Sequence, residues 1–279
     1  MTKKTKRYVL IAFSWSWLGW IIAYLMSNLQ GTSLVMDSTL FSLWSETWAS
    51  NQRIPQLLFA LAVYGPLIGY LVTRKADNVS SSVKLSVGST SENEDSNKLW
   101  YLTLLVPIVS SLPVIIISLL ASHNIANTTF TTLLISVGLY FISNFVTSGT
   151  EEFGWRGVVY TEMRSQGLSF WDIAWRGGLI WAFWHYPIMI IMYLPLGAAV
   201  LLPSLIGFTA SIVAMNYITN FIYEKTHNIW FAVLLHALNN TMSFLVILLF
   251  PKTPFTILTS LMSWVFVAWI DKRYKKHIY

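Results

Sequence analysis

The chain has 279 residues, of which 55% are hydrophobic and 11% are charged, and its net charge is +6. It contains no cysteine, which excludes disulfides, cysteine-ligated zinc and a thiol nucleophile. The apolar composition predicts an all-α, polytopic membrane protein, and the absence of an alternating pattern argues against a membrane barrel.

Uncharged windows of the size that crosses a bilayer, about 20 residues, recur along the chain. The division between the fifth and sixth of them rests on Pro195 and Gly197 and on the length of the uncharged stretch between Arg176 and Glu224. We expect about eight transmembrane helices, at 8–26, 54–72, 99–121, 130–149, 177–194, 200–223, 229–250 and 254–270.

The positive charges provide a separate test of this topology. With these helices, 16 of the 18 Lys and Arg residues fall on the side that holds both termini, and only Arg53 and Lys252 fall on the other. Because Lys and Arg concentrate in cytoplasmic segments, both termini are predicted to be cytoplasmic. The net charge therefore reports topology, and no nucleic-acid partner is needed to explain it.

A polar stretch rich in Ser, Asn and acidic residues covers 77–98. Its composition predicts a cytoplasmic linker. The linker divides the chain into 1–76, which holds two appended N-terminal transmembrane helices, and 99–279, which holds a six-helix unit. The ionisable residues embedded in the membrane all follow the linker, so we expect the functional domain at 99–279.

Few ionisable side chains lie within or at the ends of these apolar segments. Glu151 and Glu152 come at the end of the fourth helix, His185 lies in the fifth, and His236 and Asn240 lie in the seventh. Ionisable groups inside a bilayer are costly, so each calls for a partner or a function. A fourth helix that continues beyond residue 150 would bring the acids to the depth of the histidines, at about 1.5 Å per residue.

The spacing of these residues indicates how they are oriented. Glu152 and Arg156 are four apart, so they can pair on one helical face, while Glu151 is rotated by about 100° onto another. His236 and Asn240 are also four apart and point the same way. A free carboxylate, histidines and a cluster of hydrogen-bond donors suit hydrolysis of an amide by an activated water.

Each feature also has a structural interpretation. The Glu152–Arg156 pair alone is typical of a salt bridge at a helix end. A single intramembrane His, or Asn240 alone, is typical of hydrogen bonding between packed helices. An acid pair and two deep histidines at one level of the membrane are poorly explained by packing, and this combination favours a functional site.

Three motifs carry a resemblance to a known family. They are EEFGWR at 151–156, followed by Gly157; WAFWH at 181–185, with Trp181 in a position that is usually Phe; and HALNN, which begins at His236. Over roughly 99–250 the chain resembles the intramembrane protease family of CAAX prenyl endopeptidases and bacteriocin-processing or self-immunity proteins, called CPBP or Abi.

The resemblance implies a role for each matched residue. Glu151 would activate the attacking water together with His185, and His236 and Asn240 would hold the oxyanion. Glu152 and Arg156 would be supporting residues that fix the site. The departure at Trp181 is expected to change packing near the pocket and the fit of the substrate.

Two chemical mechanisms are compatible with this family. We favour a glutamate-activated water without a metal, and the alternative is a divalent metal such as zinc held by Glu151, His185 and His236. The implied partners are the lipid bilayer and a peptide or membrane-protein substrate, in a bacterial cell membrane.

A non-enzymatic function could use the same polar cluster. The chain would then be a non-catalytic immunity or scaffold protein that binds a peptide or a membrane protein. A transporter is a weaker interpretation, because the polar residues gather near one face of the membrane.

Overall fold

The computed structural model describes residues 1–35, 50–76, 94–121, 129–251 and 256–278. Every regular element in these ranges is helical, which confirms the predicted all-α class. The helices are α1 (Lys3–Leu29), α2 (Ser50–Ala62), α3 (Gly65–Ala76), α4 (Glu94–Leu120), α5 (Phe130–Val146), α6 (Glu152–Gly154), α7 (Thr161–Ser165), α8 (Phe170–Tyr193), α9 (Ala198–Thr226), α10 (Ile229–Leu249) and α11 (Ile257–Ile278).

Six helical segments in these ranges are long and apolar enough to cross a membrane, so this is a multi-pass integral membrane protein. Large apolar side chains such as Leu10, Ile135 and Ile206 are exposed on the outside of the bundle, as lipid-facing residues are. The six segments are Lys3–Leu29, Leu99–Leu120, Phe130–Ser165, Phe170–Leu196, Ala198–Thr226 and Ile229–Leu249.

Two of the eight expected spans have a different form in the structure. The expected span 54–72 is the pair α2 and α3, bent by 50° and so either one broken crossing or a re-entrant loop. Helix α11 overlaps the expected span 254–270 from Ile257 onwards, is not among the six segments, and residues 254 and 255 of the expected span lie outside the described residues. The described residues therefore contain six spans, or seven with the bent pair, and the side on which the termini lie stays a prediction.

Helices α8 and α9 are joined by the break that the sequence indicated. A 3₁₀ turn at Leu194–Leu196 is followed by Gly197, whose φ of +91° is accessible to glycine and strained for other residues. The two helices then pack closely at Gly178 of α8. A Cβ atom at this position would lie only 2.9 Å from the Cα atom of Val213 on α9. Small residues at such a crossing let two backbones approach each other inside a membrane.

Gly178→Ala is expected to lower the thermal stability of the protein. The added methyl group meets the α9 backbone, which cannot rotate away, and such overpacking costs about 1–3 kcal/mol. Gly138→Ala is the matched control, since Gly138 lies in α5 with no atom within 4 Å of its would-be Cβ. Thermal unfolding in detergent, followed by size-exclusion chromatography, should show a lower midpoint for Gly178→Ala only. Equal midpoints would show that the crossing tolerates a methyl group.

The N-terminal helices contact the segment that carries the acid pair. Tyr8 of α1 is fully buried, its ring packs edge-on against Trp155 at 5.8 Å, and its hydroxyl lies so close to Gly154 that a Cβ there would be 2.1 Å away. The indole of Trp17 donates a hydrogen bond of 3.0 Å to the carbonyl of Trp184. The N-terminal helices are therefore packed against the central elements of the bundle.

The domain boundaries at 1–76 and 99–279 stay a prediction. Residues 77–93 of the predicted linker lie outside the described residues. Helix α4 begins at Glu94, inside the stretch assigned to that linker.

Candidate active site

The backbone around the acid pair is an irregular helix. After α5 ends, a 3₁₀ turn (Ser148–Glu151) leads into α6, and a π-helical turn (Trp155–Tyr160) leads from α6 into α7. The apolar segment Phe130–Ser165 thus continues past both glutamates. This is the continuation that we expected to bring the acids to the depth of the histidines. The π-helical turn, a form that occurs often at functional sites, redirects the side chains that follow Glu152.

Glu152 forms the centre of a buried charge network. Its Oε2 atom lies 2.7 Å from Nη1 of Arg156, which is the ion pair that the spacing of four residues predicted. Its Oε1 atom accepts a hydrogen bond of 2.8 Å from Nδ1 of His236 on α10. Both Glu152 and Arg156 are 0% exposed, so each charge depends on its partner in place of water.

Asn216 on α9 completes the environment of Arg156. Nη2 of Arg156 donates a hydrogen bond of 2.9 Å to Oδ1 of Asn216, whose Nδ2 in turn donates to the carbonyl of Ala174 at 2.9 Å. The guanidinium also lies 5.0 Å from the ring centre of Trp181, within the range of a cation–π contact. Arg156 therefore links the acid segment to α8 and α9.

Glu151 is held in a different way from its neighbour. Its Oε2 atom accepts two hydrogen bonds from indole N–H groups, one from Trp155 at 3.1 Å and one from Trp181 at 3.0 Å. The residue is 3% exposed, and its Oε1 atom makes no hydrogen bond with another described residue. Glu151 is thus a buried carboxylate with neutral donors on one oxygen and, among the described residues, no hydrogen-bond partner on the other.

His185 on α8 has a defined tautomer. Its Nδ1 atom lies 3.0 Å from the carbonyl oxygen of Trp181, and because a carbonyl only accepts, Nδ1 must carry the proton. The neutral ring then has its lone pair on Nε2, which is the atom that accepts a proton. Rings of Trp184 and Phe208 pack edge-on against it at 4.5 and 5.1 Å and limit its rotation.

The predicted site residues come together to different degrees. Glu151, Glu152, Arg156 and His236 form one cluster around Trp181, whose ring centre lies 5.1 Å from that of His236. His185 joins the cluster through the carbonyl of Trp181 and is in electrostatic range of His236. Asn240 is half-buried one turn after His236 on α10, and it has no hydrogen bond with the rest of the described chain.

The zinc alternative can be compared with this geometry. Within the described residues, no group of three His, Cys, Asp or Glu side chains is arranged to hold a metal ion. One oxygen of Glu151 is also already occupied by two indole N–H donors. The set Glu151, His185 and His236 therefore does not fit a zinc site in this arrangement, which needs its ligands about 2.0–2.2 Å from one point.

The sequence interpretation missed three residues of this site. Trp155 lies four residues after Glu151, a spacing that places both on one helical face and was a usable signal. Asn216 is one of few amides in an otherwise apolar span, and no local pattern links it to Arg156. Trp181 was expected to alter packing, but its indole also supplies a hydrogen bond to Glu151 that Phe cannot supply.

The fold and this cluster define a multi-pass membrane protein with an acidic and histidine-containing site inside its helix bundle. Residues 131–242 match the family model of Type II CAAX prenyl endopeptidase Rce1-like, and this range includes every residue of the predicted site. The match confirms the resemblance of this segment to the CAAX protease (CPBP) family of membrane proteases. No curated protein matches the chain significantly.

Proposed function

We propose that the protein is an intramembrane endopeptidase that hydrolyses peptide bonds by a water molecule activated by Glu151 and His185. The observation that carries this proposal is the buried Glu151 carboxylate, held through one oxygen by neutral donors and, within the described part of the chain, without a hydrogen bond on the other. A carboxylate that is fixed but not paired with a cation retains the ability to accept a proton. The family match to a membrane protease supports the hydrolysis of peptide bonds.

In this mechanism the attacking water lies between Oε1 of Glu151 and Nε2 of His185. Glu151 accepts the first proton as the water adds to the peptide carbonyl, and it later delivers that proton to the leaving amine. The Nδ1–H bond to the Trp181 carbonyl keeps the acceptor lone pair of His185 on Nε2. No metal takes part in these steps.

We assign His236 and Asn240 the role of donating hydrogen bonds to the oxyanion. The hydrogen bond from Nδ1 of His236 to Glu152 orients the ring and leaves Nε2 to face the substrate. A ring that carries a proton on both nitrogens donates from Nδ1 to Glu152 and from Nε2 to the oxyanion. The amide of Asn240 supplies a second donor from the next turn of α10, which is the arrangement that stabilises a tetrahedral intermediate.

We assign Glu152, Arg156 and Asn216 a supporting role, which is to hold the site in place. Arg156 holds Glu152 by the 2.7 Å ion pair, and Asn216 holds Arg156. The substrate is a peptide or protein segment within or next to the bilayer, which would reach the site from the cytoplasmic side. We place the protein in a bacterial cell membrane, and a link to bacteriocin processing or immunity follows from the family resemblance alone.

The test is cleavage by purified protein in lipid nanodiscs. Two probe sets are offered: a farnesylated peptide that ends in Cys-aliphatic-aliphatic-X, and unprenylated membrane peptides. Mass spectrometry should find new termini with the parent protein, with one atom of ¹⁸O in each new carboxyl group in H₂¹⁸O. Products must disappear with Glu151→Gln. Cleavage of only one probe set identifies the substrate class, and no cleavage of any peptide counts against an endopeptidase.

The non-catalytic alternative makes the opposite prediction. If the protein only binds its partner, Glu151→Gln and His236→Ala should keep full cellular function. Substitutions on exposed loops or lipid-facing surfaces should then abolish it. Loss of cellular function in a Glu151→Gln variant that still binds the partner, at parental expression level and thermal stability, would exclude this alternative.

Activity is expected to survive stringent chelation. The reason is that the Glu151, His185 and His236 set does not fit a zinc site, so removal of divalent metal leaves the water-activating groups in place. The protein is dialysed against a strong chelator, its metal content is measured by mass spectrometry, and kcat is compared before and after. Loss of activity that zinc restores would replace this mechanism by a metal-dependent one.

A further inference from the structure

Two indole N–H groups converge on one carboxylate oxygen at the centre of the site. Trp155 reaches Oε2 of Glu151 from the π-helical turn, and Trp181 reaches the same atom from α8, at 3.1 and 3.0 Å. Both indoles are buried, with exposures of 2% and 0%. A buried indole N–H normally finds an acceptor, and here two of them share one.

The two donors are neutral, and this distinguishes Glu151 from Glu152. Glu152 interacts with the cationic guanidinium of Arg156 and accepts a hydrogen bond from the ring of His236, so a full positive charge lies beside it. Trp155 and Trp181 satisfy the hydrogen-bonding capacity of Glu151 Oε2 without bringing a positive charge. A buried carboxylate needs such partners, because water no longer supplies them. Glu151 is therefore held in place while its carboxylate remains able to accept a proton.

The two donors come from different elements, so together they fix the direction of the carboxylate plane. Trp181 is itself contacted by the Arg156 guanidinium, 5.0 Å from its ring centre, and by the His236 ring, which lies at 5.1 Å in a T-shaped arrangement. Its backbone carbonyl accepts the Nδ1–H of His185. One residue thus orients Glu151 through its side chain and His185 through its backbone.

We infer that Trp181 and Trp155 are positioning residues, whose indole N–H groups hold Oε2 of Glu151 so that Oε1 faces the attacking water. This inference rests on the proposed function of Glu151. It assigns a chemical reason to the Trp at position 181, where the related motif usually has Phe. Phe at this position would fill a similar space and donate no hydrogen bond.

Trp181→Phe is expected to lower kcat by about 10- to 100-fold, the effect of misplacing a reacting group, with KM close to parental. Trp155→Phe is expected to act in the same direction, because it removes the second donor. Trp184→Phe is the matched control: Trp184 lies on the same helix, is 0% exposed, and its indole N–H has no partner among the described residues. It loses the same volume and no donor to Glu151, so its kcat should stay well above that of Trp181→Phe.

The kinetic outcomes separate positioning from other roles. A raised KM with parental kcat would assign Trp181 to substrate fit and overturn the inference. Equal losses of kcat in Trp181→Phe and Trp184→Phe, at equal thermal stability, would assign the effect to packing and also overturn it. A tryptophan analogue with sulfur in place of the indole N–H, introduced at position 181, keeps the ring size and should reproduce the loss seen with Phe.

A spectroscopic measurement tests the contact without an activity assay. In protein labelled with ¹⁵N at the indole nitrogens, the three Phe variants assign the signals of Trp155, Trp181 and Trp184. Glu151→Gln replaces the charged acceptor by a neutral one, so it should shift the first two signals and leave that of Trp184 in place. Unshifted Trp155 and Trp181 signals would overturn the inference, even if a variant does not fold well enough for kinetics.

The inference and the proposed function fail in different ways. If Glu151→Gln is inactive and Trp181→Phe retains full kcat, Glu151 remains the base and only the positioning role is wrong. If Glu151→Gln retains cleavage, both are wrong, because no proton transfer passes through the residue that the indoles hold.

Discussion

Glu151→Gln is expected to reduce kcat by about 10²- to 10⁴-fold, which is the usual contribution of a general base, with little change in KM. The amide has the shape of the carboxylate and can still accept hydrogen bonds from Trp155 and Trp181, so the fold should persist. It cannot accept a proton from water at neutral pH. Steady-state kinetics in nanodiscs, with thermal unfolding of the same preparation, would measure both effects.

Glu162→Gln provides the control for this substitution. Glu162 lies on α7 of the same apolar segment, where it forms an ion pair of 3.4 Å with Lys4 and accepts a hydrogen bond of 2.8 Å from Thr2. Its loss removes one negative charge from the segment without touching the site, so kcat should remain parental. Parental cleavage by Glu151→Gln would remove Glu151 as the base.

The two adjacent glutamates therefore differ in environment, although they are neighbours in the sequence. Glu152 is compensated by Arg156 and His236, and this makes it suitable for holding other groups in place. From the described residues, Glu151 receives hydrogen bonds from two neutral donors, and this keeps a proton-accepting oxygen available. A helical backbone produces this division, because successive residues point about 100° apart and meet different neighbours.

Local features of the site follow from the sequence. The Glu152–Arg156 pair was predicted from a spacing of four residues, and the structure contains it at 2.7 Å. The continuation of the helical path beyond residue 150 and the break near Gly197 were also expected. These features depend on helix geometry and hydropathy, which act over one or two turns, so a single sequence contains the information.

Contacts between distant segments could not be predicted from the sequence. The hydrogen bonds from Trp181 to Glu151 and from Arg156 to Asn216 join residues 30 and 60 positions apart. The 50° bend between α2 and α3 also depends on what packs around it, since hydropathy alone describes one continuous apolar stretch. Such features depend on which helix faces are neighbours, and periodicity in one helix does not report the rotation of another.

Arg156→Met is expected to destabilise the protein by about 3–5 kcal/mol, the cost of removing one partner of a buried ion pair. Glu152 would then keep only His236 as a partner, and Asn216 would lose its donor. Activity should fall as well, since Glu152 orients the ring of His236. Arg156→Lys should recover only part of the loss, because a single ammonium cannot reproduce the fork that reaches both Glu152 and Asn216.

Arg164→Met is the matched control for Arg156→Met. Arg164 pairs with Glu224 at 2.9 Å, but both side chains are partly exposed, at 38% and 25%, so its loss should cost about 0–1 kcal/mol. Adding Glu152→Gln to Arg156→Met should restore part of the unfolding midpoint, because the uncompensated charge is gone, while activity stays low without the negative charge beside His236. Equal midpoints for Arg156→Met and Arg164→Met would show that the buried network does not hold the site together.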